Sequence, residues 1–195
     1  MSSRLADMAA LSEVLPDDVP TTTADALALF DSLAAVDPQF MIGTWHGAEL
    51  PTGHPLDGIL AASGWWGKRF RDNETVDPLL FPTADGAGLF ALNPAPAFAG
   101  LGLFTRFPML KKQNFTAAVA TLRPALQARG PKARLRTTRY RGVDTATMIY
   151  DQLPINDVFR LVDDTPGSEV VLGAMDLRGY DAPYFFVLLR DGSRS

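Results

Sequence analysis

No cysteine occurs in this chain of 195 residues, which excludes disulfides, thiolate metal sites, thiolate-ligated haem and cysteine nucleophiles together. Histidine is almost as scarce. There are 2 copies, His46 and His54, and their spacing across a strand and a turn matches no usual zinc site. Basic charge is also short: 18 Lys and Arg against 22 Asp and Glu leave a formal net charge of −4. Broad nucleic-acid affinity needs the opposite balance. No apolar run reaches the length of a membrane span. The opening Met1-Ser2-Ser3-Arg4-Leu5-Ala6-Asp7-Met8 has no basic patch leading into an apolar stretch, so no secretory signal is read and the cytoplasm is the expected compartment. Nucleophile elbow, phosphate-cradling loop and dinucleotide fingerprint are all missing.

What is present suits one globular domain with a sizeable core: 47% of residues are hydrophobic and 21% charged, ordinary proportions for a soluble fold. Residues 1–20 read as a flexible arm and 21–195 as a single domain. After Thr21-Thr22-Thr23, a helix N-cap signal, Ala26, Leu29, Phe30, Leu33 and Val36 repeat at helical spacing, and Asp37-Pro38 stops the helix. Its single apolar face predicts a lid or plug. Gly43-Thr44-Trp45-His46-Gly47 then reads as a curving strand that turns its indole into a barrel interior. Gly53-His54-Pro55 follows, with Pro55 at a first helical position, so His54 is expected to cap a short helix running to about Ala62.

Val76–Phe81 and Gly88–Asn93 read as short strands, and Leu110–Ala128 as a helical stretch divided at Pro124. From 132 onward the turns are very short. Five strand-length runs (134–141, 143–151, 155–162, 169–177 and 184–190) are separated only by Gly, Pro and Asp-rich joints, which places neighbours antiparallel. The expected fold is mainly β: an antiparallel, lipocalin-like or fatty-acid-binding-protein-like barrel of about eight strands, with an N-terminal helix and a helical insertion. Such a barrel holds one small ligand.

Gly43–Gly47, Gly53-His54-Pro55-Leu56-Asp57-Gly58, Gly64-Trp65-Trp66-Gly67-Lys68-Arg69-Phe70 and Phe90–Pro94 resemble the bacterial GXWXG family over about 38–95. Thr147–Ile155 and Met175–Gly179, within a meander over about 132–190, resemble the domain of unknown function that follows it there. The resemblance implies a β-barrel-like protein, of a family in which haem binding has been proposed for some members. A more distant likeness is to nitrobindin, a b-type haem barrel with a Gly-x-Trp-x-Gly-x-Gly signature. Glu49 replaces its last glycine here, and no histidine follows His54, so any haem needs a different attachment from nitrobindin's late histidine.

On these grounds His54 is the candidate axial ligand for haem b, since a neutral imidazole is a common ligand of haem iron. The competing role for it is a local cap and hydrogen bond. Strand alternation sets His46 on the face opposite Trp45, towards solvent. Trp45, Trp65 and Trp66 are candidates for the pocket wall or the core, Met148 and Met175 for axial sulfur ligands or gap-filling core, and Lys68 and Arg69 for pairing with a ligand carboxylate. Arg134, Arg136 and Arg139 are placed instead on a solvated strand edge. Asp57, Asp151, Asp157 and Asp176 are candidates for acid–base chemistry, although local turn roles account for most of them. The functional expectation is therefore a haem-binding barrel. The alternatives are a carrier for a fatty acid or other apolar molecule, or a small-molecule enzyme using buried Asp residues. A twofold dimer is expected from the basic strand and the amphipathic helix, against a monomer whose helix caps its own barrel mouth.

Overall fold

Eight antiparallel strands close into a ring, and each of the five C-terminal runs occupies its expected place in it. The computed structural model describes residues 19–99, 109 and 113–192; most of the expected N-terminal arm, and residues 110–112 of the expected helix, lie outside them. Around the ring the order is β2 (Gly43–Leu50), β3 (Gly67–Phe70), β4 (Val76–Pro82), β6 (Ala133–Tyr140), β7 (Val143–Tyr150), β8 (Ile155–Asp163), β9 (Val170–Leu177) and β10 (Tyr184–Arg190), which pairs back onto β2. Two short strands lie off the ring. β1 (Ala34–Ala35) pairs with the far end of β8, and β5 (Leu89–Ala91) pairs with β4.

The alternation of strand side chains gives the barrel two apolar clusters. The interior takes Trp45, Phe70, Leu135, Met148, Phe159 and Phe186 among others. The outer face of β2, β8, β9 and β10 is apolar as well, with Leu50, Val158, Leu172, Phe185 and Val187 fully buried. That second surface is where helix α1 (Thr23–Ser32) rests, through Ala26 and Phe30. The helix is thus neither lid nor plug; it covers the barrel wall. It also ends sooner than its periodicity predicts, because Leu33 turns extended and Ala34-Ala35 are drawn into pairing with the edge of β8 beyond the reach of β7. Val36, the last member of the helical repeat, is buried in the interior cluster instead.

Asp37-Pro38 does more than stop a helix. Asp37 accepts the Gln39 N–H at 2.7 Å and Pro38 opens α2 (Pro38–Met41), as a proline at the first helical position should. The basic strand is neutralised within the chain: Arg136 meets Glu74, Arg139 meets Asp144, and Arg141 meets Asp31. Both features behind the expected dimer, the helix face and the basic strand, are thus engaged inside one copy.

The Gly-x-Trp-x-Gly spacing has a steric cause. Gly43, Trp45 and Gly47 share the inward face of β2. A Cβ on Gly47 would lie 2.1 Å from the Trp65 ring, and one on Gly43 would lie 2.6 Å from the Arg190 guanidinium. That guanidinium lies 4.3 Å from the Trp45 ring centroid. Two large flat groups therefore lie directly on bare strand backbone.

Candidate functional site

Short helices line a partly open cavity of about 220 Å³ together with the barrel wall. Leu56, Ile59 and Leu60 from α3 (Ile59–Ser63) and the turn before it form one part of this helical lining. Phe98 of α4 (Pro94–Ala99), Val119 of α5 (Thr116–Thr121) and Leu126 of α6 (Arg123–Leu126) form the other. The predicted helical stretch divides beside Pro124, as expected, with α5 and α6 meeting at Leu122. From the barrel come Trp65, Phe81, Tyr150, Met175, Tyr184 and Phe186. Against this apolar lining stand two charged groups, Lys68 of β3 and Asp157 of β8.

A bulge in β4 shapes the lysine's surroundings. Gly67 pairs with Leu80 but Arg69 pairs with Asp77, so one extra residue is accommodated around Pro78 and Leu79. Pro78 has no N–H to lose from the ladder, and its carbonyl accepts from Lys68 Nζ at 3.2 Å. A bulge commonly re-aims groups at a site in this way. Nζ also lies 2.8 Å from Asp157 Oδ2, with the two side chains 3% and 1% exposed. Three ring faces surround it, with centroids at 4.9 Å for Phe186, 5.4 Å for Trp65 and 5.8 Å for Tyr150. Asp157 Oδ2 is held by the Lys68 ammonium, while Oδ1 has no donor among the described residues. The buried Trp65 Nε1–H likewise has no acceptor among them.

Burial drives the titration of this pair. It lowers Lys68 and raises Asp157 from their ordinary values, with the attraction between them opposing both shifts. Tyr150 is pushed well up by burial and by the Asp157 charge.

A second polar cluster fixes the helical side of the cavity. Glu49 continues the inward face of Gly43, Trp45 and Gly47, and its carboxylate accepts the backbone N–H groups of Gly58, Leu60 and Ala61 at the start of α3. Asp57 takes the Thr52 and Gly53 N–H groups. With Gly58 left-handed at the cap position, residues 55–58 form a turn, and the helix begins at Ile59 rather than at Pro55. His54 is therefore not a helix cap. Its Nδ1 accepts the Leu56 N–H at 3.1 Å, and its ring is flanked by Tyr180 and Tyr184.

Burial raises Glu49 above the ordinary 4.5 despite those hydrogen bonds. The folded state thus holds the proton more tightly than the unfolded chain, and Glu49 contributes a loss of stability as pH rises from about 4.5 through its raised value. Urea unfolding should therefore show the stability of wild type minus that of Glu49→Gln falling over that range. A flat or rising difference would contradict the raised value.

Of the candidates named from sequence, Lys68 and Trp65 line the cavity, with Asp157 opposite. Trp45 and Met148 are fully buried in the closed core, and Trp45 Nε1 donates to Met41 O. Trp66 lies outside against His46, whose Nδ1 is 2.7 Å from Trp66 O, and His46 is exposed as alternation requires. Arg69 points outward to Asp77, at 2.8 Å. His54 is not part of the cavity wall. Haem b with His54 as axial ligand does not fit these residues, because the imidazole sits behind Tyr184 and Leu56 of the lining, with Nδ1 taken by the Leu56 N–H, and no other histidine lines the cavity. Among the described residues no three His, Asp or Glu side chains converge as a metal site.

The family model for GXWXG proteins matches residues 28–86, and that for a domain of unknown function, DUF4334, matches residues 131–190. The chain belongs to the GXWXG family. A crystal structure of a protein from Thermomonospora curvata is similar to this GXWXG protein along its length: 33% identity, 96% of each chain covered, TM-score 0.64. A search of curated proteins gives no match. In this GXWXG protein both matched regions supply lining residues that meet at the ion pair, Trp65 and Lys68 from the first, Tyr150 and Asp157 from the second.

Proposed function

We propose that this protein binds and carries a small, mostly apolar molecule bearing one uncharged polar group, with that group set against Lys68 and Asp157. The supporting observation is the ion pair itself, buried in an otherwise apolar wall, with Asp157 Oδ1 and the Trp65 N–H without hydrogen-bond partners among the described residues. Buried ion pairs add little to stability when compared with well-packed apolar residues, so their presence at a cavity points to binding. Because the two charges cancel, a carbonyl or hydroxyl suits the pair better than a fatty-acid carboxylate, which Asp157 would repel.

Size narrows the class further. A cavity of about 150 Å³ accepts benzene, so 220 Å³ takes a single-ring or short-chain molecule. Benzyl alcohol should raise the thermal midpoint and perturb tryptophan fluorescence. One hydrogen bond to a charged group, about 1.5–3 kcal/mol, should make it bind roughly tenfold or more tighter than toluene. The double variant Lys68→Met/Asp157→Leu should lose that preference. Equal affinity for the two compounds in wild type, or binding of neither, would overturn the reading.

A further inference from the structure

Lys68 has the surroundings of a nucleophilic amine as well as those of a binding group. Lys68 lines the cavity, and its Nζ is enclosed by the faces of Phe186, Trp65 and Tyr150 with a carboxylate 2.8 Å away as a partner for its proton. An amine removed from water into an apolar pocket is activated for imine formation with a carbonyl compound, and the carboxylate beside it can take up and return the protons that the reaction moves.

We infer that this protein captures small apolar aldehydes or ketones covalently, as a protonated imine between the ligand's carbonyl carbon and Lys68 Nζ, with Asp157 moving the protons and remaining as counter-ion. The inference rests on the binding reading above and specifies the ligand's polar group. Asp157 first takes a proton from the ammonium, leaving a neutral amine. The nitrogen lone pair attacks the carbonyl carbon, a C–N bond forms, and the carbonyl π pair moves to oxygen, which takes the proton from Asp157. Asp157 then removes a proton from the nitrogen and returns it to the new hydroxyl. Water leaves as the nitrogen lone pair forms the C=N bond. One ammonium and one carbonyl become one iminium and one water, the charge is unchanged, and the carboxylate is regenerated beside the positive nitrogen. The lowered basicity of Lys68 and the raised basicity of Asp157 favour the first transfer.

The test is reductive trapping on the intact chain. Benzaldehyde with sodium cyanoborohydride should place one benzyl group on Lys68, located by peptide mass mapping, ahead of Lys111, Lys112, Lys132 and the terminal amine. Excess benzyl alcohol should compete with the labelling. Asp157→Asn, checked for folding by circular dichroism, should slow adduct formation about a hundredfold, the scale of a lost proton-transfer group. Labelling as fast as wild type would remove Asp157 from the chemistry. If benzyl alcohol binds but Lys68 stays unmodified while other amines react, the imine is overturned and the binding reading stands. If benzyl alcohol does not bind and Lys68 is not labelled, both fall.

Discussion

Asp157→Ala should lower the unfolding free energy by about 3–5 kcal/mol, because it leaves the Lys68 ammonium buried without its counter-charge. The interior offers little in exchange: one carbonyl at 3.2 Å and three ring faces. Replacing both partners with Lys68→Met/Asp157→Leu should be neutral or stabilising by about 1–4 kcal/mol, since the desolvation of two ions disappears with them. The single variant also has a pH signature. Without the carboxylate, burial alone acts on Lys68 and moves it further below its ordinary 10.5. Between that lowered value and 10.5 the unfolded chain keeps a proton that the folded chain has released, so stability rises with pH. Urea unfolding of the three proteins at neutral and mildly alkaline pH checks both parts. A small loss in Asp157→Ala that does not change with pH would show that the lysine is not confined as described.

Gly67→Ala should cost about 3 kcal/mol or more, at or beyond the upper end of ordinary overpacking. Two terms act at this position. Its φ of +155° belongs to glycine, and a Cβ there would lie 1.9 Å from the Trp45 carbonyl oxygen. That oxygen is backbone on the neighbouring strand and cannot rotate away. Gly130→Ala separates the terms: its φ is +100° with nothing near the added carbon, so it should lose only the dihedral cost of about 1–2 kcal/mol. Thermal and urea unfolding of the two variants decide it. Equal losses would mean that β2 and β3 part easily at Gly67.

The meander could be read from the sequence because its strands alternate and its joints are too short for anything except antiparallel neighbours. The end of α1 could not, since nothing local shows that Ala34 and Ala35 will be taken up by β8. The β4 bulge is hidden for a related reason. The inward residues change from Val76 to Leu79 and Phe81, which blurs the alternation on which strand reading depends. His54 stood out through rarity, yet rarity says nothing about direction, and its ring is turned into a tyrosine pocket. Lys68 and Asp157 were both visible as single residues, but their meeting depends on the closure of the ring between distant strands. Glu49 gave a usable signal that was read only as a departure from a glycine pattern. It keeps the parity of Trp45, so its carboxylate had to face inward, where it needs donors.

One of the groups that hold Lys68 is written in main chain. The Pro78 carbonyl that receives Nζ belongs to no side chain, so residue-by-residue truncation would report Asp157 and leave this dipole unseen. Substitution at Pro78 would return an N–H to the strand but leave the oxygen in place. The lysine's solvation therefore depends on the path of β4, and a change far along that strand that straightened the bulge would retune the amine by moving this carbonyl, with every side chain around Nζ left as it is.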